Sequence, residues 1–454
     1  MGVNCNKTSS SKFHWAFTPK QKLYFLYTFL TAKASIYHFY FSPELFTSKI
    51  IRIIKKFKRD KFLQTLATPV EMKLNYFKEK LRFIIRFLMI VFGSTRGFFQ
   101  LTFFVTSSCN AKCIHCFNWE SLNSTKNELA LCEISEITKK IPFLMSLIVS
   151  GGEPFVRKDL DLVIERFYKD TNMVNVSIPT NGILSEQVYK TTLSILNKCG
   201  GINLSVSLSI DALEEKHDSI SGINGSFSKV LNTYTLLKEL KKDFPGFRIG
   251  VITCLHSENV DNAKKIYNYV LKNMAYVDSF TYTYLRGTTK VEGLKLSVED
   301  YRDLNEYLQA NPIKHERKIG KIGLLRRLVR DAINHIRSQS IIEFMQEGVY
   351  PYICQAGKLD VVLREEGSIF PCELLNEKLG NVRDFDFDIR KCLNGQKAKQ
   401  IYNKIVTERC ACTHECNLST NIIVNKRKWL QIGKDILRKW NTRTESLLET
   451  LSQR

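Results

Sequence analysis

The chain has little of what a secreted or membrane-spanning protein carries. Residues 1–6 lack the basic-then-apolar layout of a secretory signal. Its thirteen cysteines are not spread as a disulfide framework but gather in short groups. Together these absences point to a reducing cytoplasm. No long apolar run is free of charge: residues 22–41 come nearest to a membrane span, and Lys33 and several Tyr and His interrupt them. Acidic residues are scarce at the start. Residues 1–100 hold 18 Lys and Arg against Glu44, Asp60, Glu71 and Glu79, so a surplus of 14 lies there out of a net charge of +22. A basic surface attracts anionic lipid, an acidic peptide or nucleic acid. Peripheral contact with an anionic membrane is kept as an expectation and nucleic acid is not expected. The plain alternative is a solvated basic face.

What is present begins with size. A chain of 454 residues, 44% hydrophobic and 25% charged, is an ordinary globular composition with room for two or three domains. Cys109, Cys113 and Cys116 form a C-x3-C-x2-C run just after the strand-like residues 101–106. Three thiolates on one short loop can hold three irons of a four-iron cluster, leaving the fourth iron open for chemistry. A zinc site usually shows two paired knuckles, so a partial zinc site is the weaker rival.

Three more motifs close strand-like segments. Gly151-Gly152-Glu153-Pro154 follows residues 147–150, Thr180-Asn181-Gly182 follows 174–178, and Ser209-Ile210-Asp211 ends 203–211. Barrel-type α/β folds build their active sites at such C-terminal strand ends. A Gly-Gly pair exposes backbone groups with no Cβ in the way. Further strand-like runs lie at 248–254 and 279–285. Helix-length stretches alternate with the strands at 127–140, 159–168, 185–197, 226–242 and 259–272. This alternation predicts six parallel strands with right-handed crossovers.

These motifs resemble the radical S-adenosylmethionine (radical SAM) superfamily over roughly residues 101–290. The resemblance implies an α/β fold, a partial (β/α)6 TIM-type barrel. It further implies that Cys109, Cys113 and Cys116 ligate a [4Fe-4S] cluster whose open iron is chelated by S-adenosyl-L-methionine (SAM). One electron then cleaves SAM, and a 5′-deoxyadenosyl radical abstracts hydrogen from a substrate C–H. Gly151, Gly152 and Glu153 are expected at the methionine end of SAM, His115 near its adenine, and Thr180, Asn181, Ser209 and Asp211 toward its ribose and carboxylate. A flavodoxin- or ferredoxin-type electron donor is implied as partner. Relatives commonly carry His-Asp-x-x-Arg after the fourth strand, whereas this chain reads His217-Asp218-Ser219-Ile220-Ser221. Serine cannot replace a charged bidentate donor. Arg286 is the candidate replacement.

A second cysteine group comprises Cys354, Cys372, Cys410, Cys412 and Cys416. Gly367–Cys372 reads as a hairpin turn feeding a strand that ends in a ligand. The pattern resembles the SPASM/twitch auxiliary domains of radical SAM enzymes, shortened to a form with one auxiliary [4Fe-4S] cluster. Cys354, Cys372 and Cys416 are the expected ligands, with Cys410 and Cys412 left unseparated for the fourth place. His414 is read as a loop residue, and Cys5, Cys132, Cys199, Cys254 and Cys392 as isolated free thiols.

The organisation expected is therefore a basic helical extension over 1–95, the core over 96–290, a helical bridge over 291–349, an auxiliary iron–sulfur domain over 350–420 and a helical tail over 421–454. The extension is read as a cap on the barrel in preference to an interfacial helix pair. The tail has Trp429 and Trp440 as packing anchors. The function expected is an oxidoreductase or maturase acting on a peptide or protein. The alternatives are a small-molecule radical dehydrogenase for a sugar or alcohol, a lipid- or RNA-directed enzyme, and a non-enzymatic zinc scaffold.

Overall fold

Strand β1 (Phe98–Thr106) shows why the sheet forms: its sequence FFQLTFFVT is apolar on both faces, and nearly every residue is buried. Strands covered by helices on their faces read as such continuous runs. The structure is a computed structural model that describes residues 90, 97–124, 127–173, 175–313, 321–348 and 350–438. The expected extension over 1–95 falls outside them except for Ile90, which shares an apolar cluster with Phe143, Met145 and Leu359. Trp440 also lies outside them.

Strands β2 (Leu144–Gly151), β3 (Asn175–Thr180), β4 (Asn203–Ser209), β5 (Phe247–Leu255) and β6 (Ser279–Tyr284) follow β1, each paired parallel to its predecessor. The six-stranded open array is the partial barrel that the alternation implied. Helices α1 (Leu131–Lys140), α2 (Leu160–Thr171), α3 (Ser185–Lys198), α4 (Glu214–Ser221), α5 (Ser226–Leu240) and α6 (Ala263–Asn273) occupy the crossovers. On α2, Leu160, Val163, Ile164 and Phe167 are buried, the i, i+3, i+4, i+7 stripe of a helix lying on a sheet. Helix α1 starts four residues later than expected. Leu129 instead donates its N–H to the Glu365 carbonyl, and Glu133 reaches back to accept the Ala130 N–H at 2.9 Å.

The chain then forms α7 (Val298–Ala310) and α8 (Lys321–Glu347), the helical bridge. Strands β7 (Asp360–Leu363), β8 (Ser368–Phe370) and β9 (Gly380–Asn381) come next, with short helices α9 (Ile389–Leu393), α10 (Gln396–Thr407) and α11 (Glu415–Val424) behind them. The β7–β8 hairpin turns at Gly367, whose φ of +88° suits glycine. The new feature is its placement. Strand β7 pairs parallel with β1, so the sheet order is β6-β5-β4-β3-β2-β1-β7-β8-β9.

The other end of the C-terminal segment reaches the opposite edge. Leu418 and Ile422 of α11 share a core with Tyr282 of β6, Tyr301 and Leu304 of α7, and Ile336, Ile341 and Ile342 of α8. The cysteine-bearing segment therefore touches both ends of the six-stranded array, at β1 and at β6. Among the described residues no helix is long and apolar enough to cross a membrane.

Candidate functional site

The loop bearing Cys109, Cys113 and Cys116 is sewn down by main chain. Gly152 donates its N–H to the Thr106 carbonyl at 2.8 Å, and Glu153 donates to Ser108 at 2.9 Å. Lys112 and Ile114 donate to the carbonyls of Ser221 and Ile220 at the end of α4, and Val291 donates to Ile114. The Asn123 amide grips Cys109 on both sides, accepting its N–H at 2.9 Å and donating to its carbonyl at 3.2 Å. The Gly-Gly pair is required by this closeness. A Cβ on Gly152 would stand 2.1 Å from the Ser108 oxygen, and one on Gly151, whose φ is +120°, would stand 2.4 Å from the Thr106 oxygen.

Glu153 is the internal knot of the strand ends. Its carboxylate accepts from Thr180 Oγ1 at 2.8 Å, from the Asn181 N–H at 2.8 Å and from the Phe155 N–H at 3.2 Å. Burial pushes its pKa up to about 7, against the pull of these donors. Asn181 donates onward to Asn110 Oδ1 at 2.8 Å, inside the cysteine loop. Asp211 is similarly engaged. It accepts the Cys254 N–H at 2.8 Å, and its second oxygen lies 3.7 Å from His115 Nε2. His115 stacks on the fully buried His256, with ring centroids 5.2 Å apart. Ser209 ends β4 two residues before Asp211.

The structure thus brings Gly151, Gly152, Glu153, Thr180, Asn181, Asp211 and His115 around the first cysteine loop, while the Arg286 guanidinium lies 5.8 Å from the ring of Phe117, beyond Cys116. That guanidinium is committed elsewhere. It donates to Glu373 Oε2 at 3.0 Å and lies 3.9 Å from Glu415 Oε2. The missing arginine of the His-Asp-x-x-Arg pattern has a local explanation as well: Ser221 Oγ pairs with Ser226 Oγ at 2.7 Å. Asp218 then accepts from Ser226 Oγ and the Phe227 N–H, capping α5. Lys290 is the cation near the loop that sequence reading overlooked. Its Nζ donates to the Lys112 carbonyl at 3.3 Å, and its charge lowers the cost of ionising Cys116.

The cysteines of the second group have two kinds of surroundings. Cys412, Cys410 and Cys372 lie close enough to Cys354 to raise the cost of ionising it, and Cys410 does the same to Cys372 and Cys412. The strongest charged neighbours of Cys416 are instead Arg286, Glu373, Glu415 and Arg337. Cys416 follows the first residue of α11, the helix whose Leu418 and Ile422 share a core with β6. His414 sits just before that helix and places Nε2 2.8 Å from Glu373 Oε2.

The donor sets fit thiolates. Burial pushes Cys109 up to about 11, while the N–H groups of Ala111 and Asn110 pull it down. Burial likewise raises Cys113 and Cys116, which accept from their own and the Asn118 N–H. In the second group, burial raises Cys354 and Cys412 to about 12 and Cys372 to about 11. The sulfurs again accept backbone N–H groups, from Ala356, His414, and Leu375 and Leu374 in turn. Leu375 N stands 3.1 Å from Cys372 Sγ. Hydrogen bonds to sulfur tune iron–sulfur sites, and thiols this high release protons when they ligate metal. Among the described residues no three His, Cys, Asp or Glu side chains close on one point as a single-ion cage would. A four-iron cluster asks for something wider, because each thiolate serves a different iron.

A family profile described as the radical SAM superfamily matches residues 103–270. That stretch of the chain is similar to the radical SAM superfamily. The matched segment runs from β1, through the cysteine loop and all the strand-end motifs, into α6. The chain is 27% identical over 295 residues to the AdoMet-dependent heme synthase of Methanosarcina barkeri, covering 62% of this chain and 79% of that protein. It is 30% identical over 224 residues to the antilisterial bacteriocin subtilosin biosynthesis protein AlbA of Bacillus subtilis, covering 46% and 45%. It is 24% identical over 319 residues to the sporulation killing factor maturation protein SkfB of Bacillus subtilis, covering 69% of each. The match to AlbA spans less than half of that protein.

Proposed function

We propose that this protein is a radical SAM maturase acting on a peptide. Cys109, Cys113 and Cys116 hold a [4Fe-4S] cluster, and Cys354, Cys372, Cys410 and Cys412 hold one auxiliary cluster. When bound, the first cluster supplies the electron that cleaves SAM and starts hydrogen abstraction. The observation that carries this reading is the loop itself: three sulfurs accepting N–H groups, on a segment tied by main chain to the ends of β1 and β2 and to α4.

The protein's own groups have definable work there. Glu153, two residues past the end of β2, ties the β2 loop to β3, because its carboxylate accepts from Thr180 Oγ1 and the Asn181 N–H. Gly151 and Gly152 let the cysteine loop lie against β2 with no intervening side chain. Asp211 and the stacked pair His115 and His256 form one wall. The peptide preference rests on the likeness to AlbA and SkfB, whose names state bacteriocin biosynthesis and killing-factor maturation. The likeness to the heme synthase favours a second reading, a small-molecule substrate.

The decisive experiment replaces all three first-group cysteines with Ala, reconstitutes iron and sulfide anaerobically, and adds dithionite and SAM. The reading expects 5′-deoxyadenosine formation to disappear; undiminished formation overturns it. Deuterium passing into 5′-deoxyadenosine from labelled peptides, and not from labelled small molecules, separates the two substrate readings.

A further inference from the structure

Arg286 lies where the two cysteine groups come closest to sharing a residue. It follows the last residue of β6 by two positions, and its guanidinium stands 5.8 Å from the Phe117 ring centroid. Phe117 is the neighbour of Cys116. Arg286 Nη1 donates to Glu373, the neighbour of Cys372, and the same Glu373 oxygen meets His414 Nε2 at 2.8 Å. Glu415, 3.9 Å from Nη2, also accepts the Tyr284 N–H of β6 at 2.7 Å. The side chains of Glu373, Glu415 and His414 are 6%, 5% and 1% exposed. Two buried carboxylates thus converge on one guanidinium, and each side of that cluster adjoins a cysteine. A buried charge is tolerated only when paired, so neither carboxylate is stable there without a cation.

We propose that Arg286 is a positioning residue that pins the cysteine-rich segment to β6 and, with Glu373, sets the reduction potential of the auxiliary cluster. This rests on the iron–sulfur reading of Cys354, Cys372, Cys410 and Cys412. The physical cause is a buried charge pair beside a ligand: Glu373 adjoins Cys372 and raises the cost of ionising it, and Arg286 acts through its pairing with Glu373, in a dry site where electrostatic effects are large. Removing a positive charge disfavours adding an electron, and removing a negative one favours it.

The test uses the full chain with Cys109, Cys113 and Cys116 changed to Ala, reconstituted with iron and sulfide, so that only the auxiliary cluster reports. Its midpoint potential is followed by electron paramagnetic resonance during a redox titration, in that background and with R286K, R286M or E373Q added. The proposal expects R286K to stay near the background value, R286M to fall below it and E373Q to rise above it. Coincident potentials in all four proteins overturn the electrostatic role. Loss of iron in R286M that R286K restores supports the pin; loss in both, with E373Q unshifted, overturns the proposal. A background that binds no iron at all defeats the auxiliary-cluster reading and the potential-setting role with it. The pin is then judged alone by hydrogen exchange over residues 372–375 and 410–417 of the full chain. Faster exchange in R286M than in R286K upholds it, and equal exchange overturns it.

Discussion

The two cysteine groups are held in place by different physics. The first sits on a loop fixed mainly by backbone hydrogen bonds to β1, β2 and α4, with side-chain supports from the neutral amides of Asn123 and Asn181 and longer contacts from Lys290 and Asp211. The second is spread over chain before β7 (Cys354), just after β8 (Cys372) and before α11 (Cys410 and Cys412), and besides the β1–β7 pairing this segment is joined to the barrel by ion pairs: Arg286 with Glu373 and Glu415, and Arg383 with Glu133. Backbone fastening depends on close approach, so it is broken by adding a single methyl group. Side-chain fastening depends on charge, so it is broken by neutralising a partner.

The sharpest break of the first kind is Gly152→Ala. Its Cβ would fall 2.1 Å from the Ser108 oxygen, and the obstacle is backbone that cannot rotate away. The loop must shift by about an ångström, and a displacement of that size costs on the order of a hundredfold in rate. The expected result is that loss in 5′-deoxyadenosine formation, with auxiliary iron retained. A variant with ordinary rates would show that the loop is not fixed by this contact.

The same contrast explains what was legible in the sequence. Parallel strands buried on both faces appear as apolar runs, so β1 to β6 were found, and the motifs at their ends identified the loops that meet. Gly151 and Gly152 were legible because only a missing side chain explains a pair of glycines at a strand end. Strand β7 escaped. It is four residues long, and its partner β1 lies far away in the chain. Arg286 was read as facing SAM because the carboxylates that claim it, Glu373 and Glu415, are distant in sequence. Cys416 was ranked above Cys410 and Cys412 by spacing alone. Spacing does not reveal that α11 begins at Glu415, so that Cys416 lies on a helix while Cys410 and Cys412 lie on irregular chain.

A second break lies between these extremes, because Glu153 joins backbone and charge. Its native carboxyl has a pKa of about 7 against an ordinary 4.5. The folded protein therefore holds a proton, between those values, that the unfolded chain releases. This contribution to stability is complete below about pH 4.5 and is lost as the pH rises to about 7, on the order of 3 kcal/mol. Glu153→Gln removes the dependence, while setting an amide N–H against the Asn181 N–H donor. Thermal or urea unfolding of the metal-free protein across pH 4.5–7 should show wild type losing stability more steeply than E153Q. Parallel profiles would show that Glu153 is not held protonated.

The smallest effect is expected at the outer anchor of the second group. Arg383 forks onto Glu133 of α1, Nε to Oε1 at 2.7 Å and Nη2 to Oε2 at 3.0 Å, and also donates to the Glu366 carbonyl at 2.8 Å. This resembles the Arg286 pairing in chemistry and differs from it in setting: the two side chains are 27% and 22% exposed, against 20% and 6% for Arg286 and Glu373. Water screens the outer pair and can solvate either partner left alone, so each charge has an alternative that the buried carboxylates lack. The bidentate geometry places it at the upper end of surface pairs, about 1 kcal/mol. Arg383→Ala should therefore lower unfolding stability by about that amount, measurable as a shifted urea midpoint at constant slope. It should leave the auxiliary potential where it was, since Arg383 meets none of the second-group cysteines. A large loss of stability, or a moved potential, would mean that the outer fork fastens the cysteine-rich segment as firmly as the buried one, and the distinction between the two anchors would fail.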